Sequence, residues 1–497
     1  DPGGPFPACR GRADGASCSA MVFSSLTFLF VFLPLTLAAY YASPNRGRNA
    51  VALAASLFFY AWGAPRFALV LIASSLVDYA LSRHLPAGRF PDGRRQGLLA
   101  LATALNIGLL LYFKYANFFV DNLNAWLGRF GAEPLAWAAV ALPIGISFFT
   151  FQKVSYLVDV YRGTARPARN AGDYLLYVAL FPQLIAGPIV RYHDVALQLI
   201  ARDHTRARFF TGILRFCQGL GKKVLVANTM AEVADAAFGA APGSLACGWA
   251  WLGAVAYAFQ IYFDFSGYSD MAIGLGRMLG IEFLENFNRP YVSRTITEFW
   301  RRWHISLSNW MREYLYIPLG GNRHGAARTY FNLWLVFLVS GFWHGAAWNF
   351  VAWGAFHGFF LCLDKAFKNV RIARAPAWVG LPVTFVLVLF SWVLFRAETL
   401  AHAVAYAGRM LDLFGAAPEA AAAIEFGRRH AATLVAAAVL CFGPALKPHP
   451  FDFMRLEPAR ATVGQAAGRF AVAMVLLVWS AATLATSSFN PFIYFRF

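Results

Sequence analysis

The chain has 497 residues, of which 59% are hydrophobic and only 14% are charged, and its mean hydropathy is +0.50. Soluble domains are less apolar and more charged, so this composition excludes them and indicates a polytopic membrane protein. The net charge of +18 argues for cytoplasmic loops that obey the positive-inside rule rather than for nucleic-acid binding, because the basic residues cluster in short loops at 83–95, 162–169, 202–208 and 365–374.

Residues 1–20 are rich in Gly, Pro and Ala and precede Met21, which opens an apolar segment directly. We treat them as a disordered tail or a wrongly assigned start, and we expect residues 21–497 to form a single membrane domain. At about 20 residues per span, the apolar segments accommodate about ten transmembrane helices. The segments of the N-terminal half are 21–41, with a kink at Pro34, then 50–62, 67–81, 98–120, which carries Lys114, and 135–160.

The next apolar segment, 174–190, is short and contains Pro182, Gly187 and Pro188. This pattern predicts an irregular, half-membrane piece rather than a full helix. Irregular backbone survives at membrane depth only where protein buries it or where it lines a cavity. Two further apolar segments follow at 209–226 and 249–263.

The second of these segments leads into two acidic residues, Asp264 and Asp270. Acids beside a span often mark a polar pathway, so both are candidates for polar residues of a tunnel. Two acids alone do not define a reaction, and pairing with an arginine such as Arg277, or hydrogen bonds to helix ends, is the favoured explanation. Gly274 and Gly276 lack the spacing of a dinucleotide-binding loop and favour close helix packing.

A helix begins near Thr295 according to the capping box that Thr295 forms with Glu298. Charged residues interrupt it too often for a span, so the helix lies at the membrane interface or dips into the protein. His304 lies within it, and on an unbroken helix it shares a face with Trp300, Arg301 and Ser308. An aromatic stripe continues at helical spacing through Trp303, Leu307, Trp310 and Tyr314.

The segment 329–363 contains no Asp, Glu, Lys or Arg and therefore belongs at membrane depth, with His344 in its middle. Gly341 and Gly345 predict two helical pieces that meet near the imidazole. A charged residue at this depth costs about 2.5 to 3.5 kcal/mol and a neutral histidine less, so function is the default explanation for His344. His357 lies 13 residues later, on the opposite face of an unbroken helix, and we interpret it as structural.

The C-terminal part contains further predicted spans at 378–395, 431–442 and 470–486, with an interfacial helix between 399 and 414. The chain ends in an aromatic tail that includes Tyr494 and is too short to span. No nucleophile elbow, zinc-protease motif or phosphate loop occurs, and the six cysteines form no C-x-x-C pair. We therefore predict no metal site and no bound cofactor.

Two motifs, RRWHISLS at 301–308 and WHG at 343–345, resemble the paired-histidine signature of the membrane-bound O-acyltransferases (MBOAT). YFDFSGYSDM at 262–271 and FPQLIAGP at 181–188 are similar to the bacterial branch that holds the membrane subunit of alginate O-acetyltransferase and the teichoic-acid D-alanylation protein. The order of motifs matches from residue 21 to the end of the chain. The resemblance implies an all-α helical bundle around a transmembrane tunnel, with re-entrant and interfacial helices.

The resemblance also implies roles for particular residues. His344 is the expected general base, near the narrowest point of the tunnel, and His304 has an electrostatic or hydrogen-bonding role. Neutral imidazole removes a proton near pH 7, and such help contributes about 10² to 10⁴ in rate. Arg301 or Arg302 binds donor phosphates or, equally well, anchors its helix at lipid headgroups. Tyr494 is a candidate acyl relay, although an aromatic belt also explains the tail.

The implied function is acyl transfer in the inner membrane of a bacterium. An acyl thioester, with acetyl-CoA as the expected donor, supplies an acetyl group from the cytoplasm for an exopolysaccharide such as alginate, and periplasmic acetyltransferase partners complete the transfer. Two alternatives remain: D-alanyl transfer from a carrier-protein thioester, and transport of lipid-linked glycans without chemistry. Inverted repeats, which often accompany transporters, are not visible in the sequence.

Overall fold

The computed structural model describes residues 21–367, 376–414, 424–443, 462–487 and 489–490, so the expectation for residues 1–20 falls outside it. Helices form the secondary structure of this described part, which contains no strand. After a π-helical turn, Phe28–Phe32, the N-terminal half contains α1 (Leu33–Ala42), α2 (Arg48–Gly63), α3 (Pro65–Ser82), α4 (Asp92–Leu110), α5 (Ala116–Gly128), α6 (Ile146–Arg162), α7 (Ala171–Ala179), α8 (Phe181–Leu184), α9 (Tyr192–Ile200), α10 (Arg206–Gly221) and α11 (Asn228–Gly239).

The C-terminal half begins with a long helix and then breaks into shorter pieces around the predicted histidine motifs. Its helices are α12 (Cys247–Met278), α13 (Ile296–Arg302), α14 (Ile305–Met311), α15 (Gly325–His344), α16 (Trp348–Ala366), α17 (Ala377–Arg396), α18 (Leu400–Leu411), α19 (Arg428–Phe442) and α20 (Val463–Thr486). Further π-helical turns lie at Leu111–Tyr115, Lys222–Ala227 and Arg312–Tyr316.

Four helical stretches of the described chain are long and apolar enough to cross a membrane. They are α3, the continuous stretch Asp92–Gly128 that joins α4 to α5, α17 and α20. Other predicted spans coincide with helices that are shorter or lie inside the protein. The structure confirms an all-α membrane protein. It also contains the helix predicted between 399 and 414, which is α18 and is capped by Thr399.

Helix α12 runs through the interior of the bundle, and its residues 256–276 are all buried. It packs most closely on α10, where a Cβ on Gly274 would lie only 2.6 Å from the carbonyl oxygen of Gly212. Any larger side chain at either position would push the two helices apart. The close-packing interpretation of Gly274 is therefore confirmed.

The irregular piece predicted at 174–190 is also confirmed. Residues 173–192 are all buried, and they form the short helices α7 and α8 followed by a bent segment. Side chains supply the missing backbone partners: Ser56 Oγ accepts the N–H of Phe181 at 3.1 Å, and the Tyr177 hydroxyl donates to the carbonyl of Val190 at 2.9 Å. Protein rather than lipid thus satisfies this stretch of backbone.

The predicted segment 135–160 is only partly helical, because α6 begins at Ile146. Gly145 precedes it in a left-handed conformation with φ of 78°, which favours glycine and marks the start of the helix. The residues before it are held by a side chain, since the Asn117 amide both accepts from the N–H of Val140 at 2.9 Å and donates to its carbonyl at 3.0 Å. Apolar composition alone therefore predicted too long a helix.

Candidate active site

The backbone around His304 differs from the predicted unbroken helix. A helix does begin after Thr295, as predicted, but it ends at Arg302, and His304 has a left-handed φ of 45°. A neighbouring loop fixes this break, because Asn288 N–H donates to the carbonyl of Arg302 at 2.8 Å and Ile305 N–H donates to the carbonyl of Asn286 at 2.9 Å.

The prediction that His304 shares a helical face with Trp300, Arg301 and Ser308 is therefore wrong. The loop that competes for the backbone of residues 302–305 precedes the helix and carries no part of the helical pattern. Helical periodicity predicts α13 and α14 individually but does not predict the break between these two helices.

The His304 side chain is 1% exposed and is oriented by Asn286. Its Nδ1 lies 3.1 Å from Asn286 Oδ1, which also accepts the backbone N–H of Ser306 at 3.3 Å and the Ser306 hydroxyl at 2.8 Å. A backbone N–H only donates, so this atom of Asn286 is its amide oxygen, and His304 Nδ1 must donate to it. The lone pair of the neutral imidazole is consequently on Nε2, which is buried and has no hydrogen-bond partner in the described residues.

His344 is the last residue of α15, at the junction of two helical pieces. The chain turns through Gly345 and enters α16 at Trp348, so the predicted meeting of two helices at an imidazole is confirmed. Gly345 is required for a steric reason, because a Cβ at that position would collide with the ring of Phe350.

Aromatic rings surround the His344 imidazole. Their centroids lie 4.9 Å away for Trp343, 5.0 Å for Trp353 and 5.3 Å for Phe395. Over the described ranges no hydrogen bond involves this imidazole, and the residue keeps 7% of its surface exposed. Trp343 also lies 6.5 Å from His304. One aromatic pocket, called the histidine pocket below, thus contains both His304 and His344.

The other predicted site residues lie outside this contact set. Arg301 is exposed, while Arg302 forms an ion pair with Glu298 at 2.9 Å and donates to the carbonyl of Asn288. Binding of donor phosphates and anchoring at lipid headgroups both stay predictions for these arginines. Tyr494 lies outside the described residues.

Asp264 and Asp270 are held in buried ion pairs. Asp264 lies 2.7 Å from Lys223, and Asp270 lies 2.7 Å from Arg215 and 2.6 Å from Lys222. These contacts support the explanation by pairing, whereas a role as polar tunnel residues stays a prediction. The suggested partner was wrong, because Arg277 pairs with Glu282 instead, at 2.6 Å.

His357 was expected on the far side of an unbroken helix, and the break at Gly345 overturns that expectation. Its Nδ1 accepts a hydrogen bond from Trp300 Nε1 at 3.2 Å, and its ring lies 4.8 Å from Trp353, which also contacts His344. His357 is thus packed behind the histidine pocket as part of an aromatic cluster.

Three contributors were not singled out from the sequence. Asn286 carries no distinguishing signal, because isolated amide residues are common in loops, and Ser306 was noted only as one letter of the motif at 301–308. Lys114 did carry one, as a charge within an apolar run, and it contacts the backbone of His344. Within the residues that the structure describes, no group of three or more His, Cys, Asp or Glu residues is arranged to hold a metal ion.

A helical membrane protein with two buried histidines on either side of one tryptophan has the features of the membrane-embedded transferase class. Residues 168–398 match the model of MBOAT, the membrane-bound O-acyltransferase family. The chain is 50% identical to the probable alginate O-acetylase AlgI of Azotobacter vinelandii over 76% of each protein, and 44% identical to that of Pseudomonas putida over 96% of this chain and 100% of the relative. It is 37% identical to the peptidoglycan O-acetyltransferase of Helicobacter pylori over 80% of each. The chain therefore belongs to the MBOAT family and is an O-acyltransferase.

Proposed function

We propose that this chain transfers an acetyl group from acetyl-CoA, at the cytoplasmic face of a bacterial inner membrane, for O-acetylation of an exported polysaccharide such as alginate. The names of the most similar relatives support the acetyl group and the polymer. The basic loops between apolar segments support a multi-pass arrangement with a cytoplasmic donor side. Acetyl-CoA is a substrate in this proposal, not a resident cofactor.

The observation that carries the proposal is the histidine pocket. The acceptor hydroxyl loses its proton to the His344 imidazole as its oxygen attacks the thioester carbonyl carbon. The carbon–sulfur bond then breaks, and the same proton passes to the departing thiolate, so the products are an acetyl ester and a free thiol. His304 presents a fixed Nε2 lone pair to the pocket and accepts a hydrogen bond from a substrate hydroxyl.

The tunnel and the partners extend this proposal. A tunnel that passes the histidine pocket brings a cytoplasmic donor and an external acceptor to the same imidazole. Periplasmic acetyltransferase proteins receive the acetyl group and complete its transfer to the polymer, so this chain is the membrane relay. Membrane lipids surround α3, α17 and α20, the apolar helices that expose many large side chains.

The experiment is a measurement of O-acetyl content in exported polysaccharide from cells that carry His344→Ala. We expect acetylation to fall by about 10² to 10⁴ in rate, with normal polymer yield and normal abundance of the variant in membranes. The matched control is His324→Ala, which removes an exposed histidine at the opposite end of α15. Full acetylation with His344→Ala would refute the proposed role.

D-alanyl transfer remains the alternative within the same chemistry. Its support is weaker, because the relatives named teichoic acid D-alanyltransferase match only about half of this chain, at 26% and 27% identity. Membrane vesicles supplied with acetyl-CoA or with a D-alanyl carrier-protein thioester distinguish the two donors. Membership of an O-acyltransferase family favours either reaction over transport without chemistry.

A further inference from the structure

A lysine lies in the middle of a membrane-crossing helix, directly beside the histidine pocket. The continuous stretch Asp92–Gly128 is long and apolar enough to cross a membrane, and a π-helical turn at Leu111–Tyr115 interrupts it. Lys114 lies within that turn. Such single π-helical turns are frequent at functional sites, and a lysine at membrane depth requires polar partners.

The partners of Lys114 are backbone carbonyls at the end of α15. Its Nζ donates to the carbonyl of Trp343 at 2.6 Å and to the carbonyl of His344 at 3.0 Å, with Ser147 Oγ at 3.3 Å. The next residue, Tyr115, donates its hydroxyl to the carbonyl of Phe342 at 2.7 Å. Two adjacent side chains thus hold three successive carbonyls.

These carbonyls need partners because α15 ends at His344. The last four carbonyls of a helix have no intrahelical N–H to accept from, and they carry the negative end of the helix dipole. The Lys114 amine supplies the missing donors to these carbonyls. Lys114 and Tyr115 both lie within the π-helical turn, and both side chains reach the end of α15.

We propose that Lys114 and Tyr115 are positioning residues that fix His344 for acyl transfer. Neither forms a hydrogen bond with the imidazole; both act through the backbone that carries it. By fixing three carbonyls on one side of the break at Gly345, they set where the His344 ring enters the histidine pocket. This inference rests on the proposed role of His344 as the base.

The experiment compares Lys114→Met, Lys114→Arg and Tyr115→Phe in membrane vesicles that contain the complete acetylation system. The readouts are kcat and KM for acetyl-CoA, from release of free thiol, and thermal stability of each variant. We expect Lys114→Met to lower kcat by about 10- to 100-fold, because displacements near 1 Å have costs of this size. KM should stay within about twofold, because the donor site is unchanged. Lys114→Arg should recover part of kcat, since guanidinium also donates to carbonyls, and Tyr115→Phe should have a smaller effect.

The matched control removes a different buried lysine together with its partner. Lys153 pairs with Asp78 at 3.1 Å inside the bundle, so the double variant Lys153→Met with Asp78→Asn reports the effect of a lost buried pair on stability alone. If Lys114→Met lowers kcat no more than this control at equal loss of stability, Lys114 is merely structural and the proposal is overturned.

The same series separates this inference from the proposed function. Full kcat with Lys114→Met, while His344→Ala is inactive, overturns the positioning role and leaves the proposed base intact. Activity retained by His344→Ala overturns the proposed function itself, whatever Lys114→Met shows.

Discussion

Two regions of this protein bury polar side chains, and they differ in how those side chains are satisfied. In the first, called the charged belt here, acids and bases of α10, α12 and the intervening π-helical turn lie 2.6 to 2.7 Å apart. The histidine pocket contains two imidazoles that form no ion pair in the described residues, and His304 Nε2 has no hydrogen-bond partner there. The charged belt consists of Arg215, Lys222, Lys223, Asp264 and Asp270.

The difference shows which buried polar groups are available for chemistry. A buried charge is tolerated only when it is paired. A charge that is already paired inside the protein is not free to interact with a substrate. A neutral imidazole costs less to leave unpaired, at about 1 to 3 kcal/mol, and its lone pair remains free for a substrate. The charged belt therefore stabilises the bundle, while the histidine pocket gives up some stability for reactivity.

The largest expected effect is a loss of folded protein when an ion pair of the charged belt is broken. Asp264→Ala removes the carboxylate that lies 2.7 Å from Lys223, and removing one member of a buried pair costs about 3 to 5 kcal/mol. We expect the amount of folded protein in membranes to fall sharply, while the activity per folded molecule stays near wild type. The double variant Asp264→Asn with Lys223→Met should regain most of the folded protein.

The measurement combines membrane abundance with the rate of thiol release per folded molecule. If Asp264→Ala kept normal abundance but lost activity, the charged belt would belong to the reaction path and the comparison would fail.

A smaller effect is expected in the histidine pocket, from Asn286→Ala. This change removes the acceptor that holds the Nδ1 proton of His304, so both tautomers of the imidazole become populated. We expect activity to fall by about 10- to 100-fold, as for other side chains that orient a functional histidine. Ser269→Ala is the matched control, because it removes another partner of Asn286, at 3.1 Å, without touching His304. Equal losses from both variants would contradict the tautomer argument.

The smallest effect concerns pH and lies outside both regions. The hydrogen bond between His193 and Asp159, at 2.6 Å, raises the pKa of His193 above its usual value, and burial opposes it. A raised pKa stabilises the folded state fully below the unfolded value of about 6.5, and this contribution is lost as pH rises through the folded pKa. We expect thermal stability to decline from pH 6 to pH 8 and to decline less in Asp159→Asn. An equal slope in that variant would assign the pH dependence elsewhere.

Much of the fold was predictable, because apolar segments and caps are local signals. Thr295 starts a helix as its capping box predicts, and Gly345 separates α15 from α16 as its neighbours suggest. The break at His304 was not predictable, since hydrogen bonds from the loop before the helix impose it and the helical pattern does not show them. Hydrophobicity failed at 135–145 for a related reason: the side chain of Asn117 replaces the helical partners there.

The site was predictable only for the residues that are chemically unusual for their surroundings. His304 and His344 both stood out as ionisable groups within motifs, and His344 also lies in a segment assigned to membrane depth. Lys114 stood out as a charge, but its partner on α15 lies 229 residues later in the chain, so sequence alone could not reveal what it contacts. Asn286 was hidden because its importance comes entirely from the three groups that share its amide oxygen.

The left-handed backbone at His304 bears on which substitutions would be tolerated at this position during evolution. A φ of 45° is comfortable for glycine and strained for any residue with a side chain, by about 1 to 3 kcal/mol. Substitution by glycine would relieve that strain and remove the imidazole in one step. A histidine retained at such a position would indicate selection for reactivity at the cost of folding stability. If that selection were relaxed, we expect substitution by glycine at this position first.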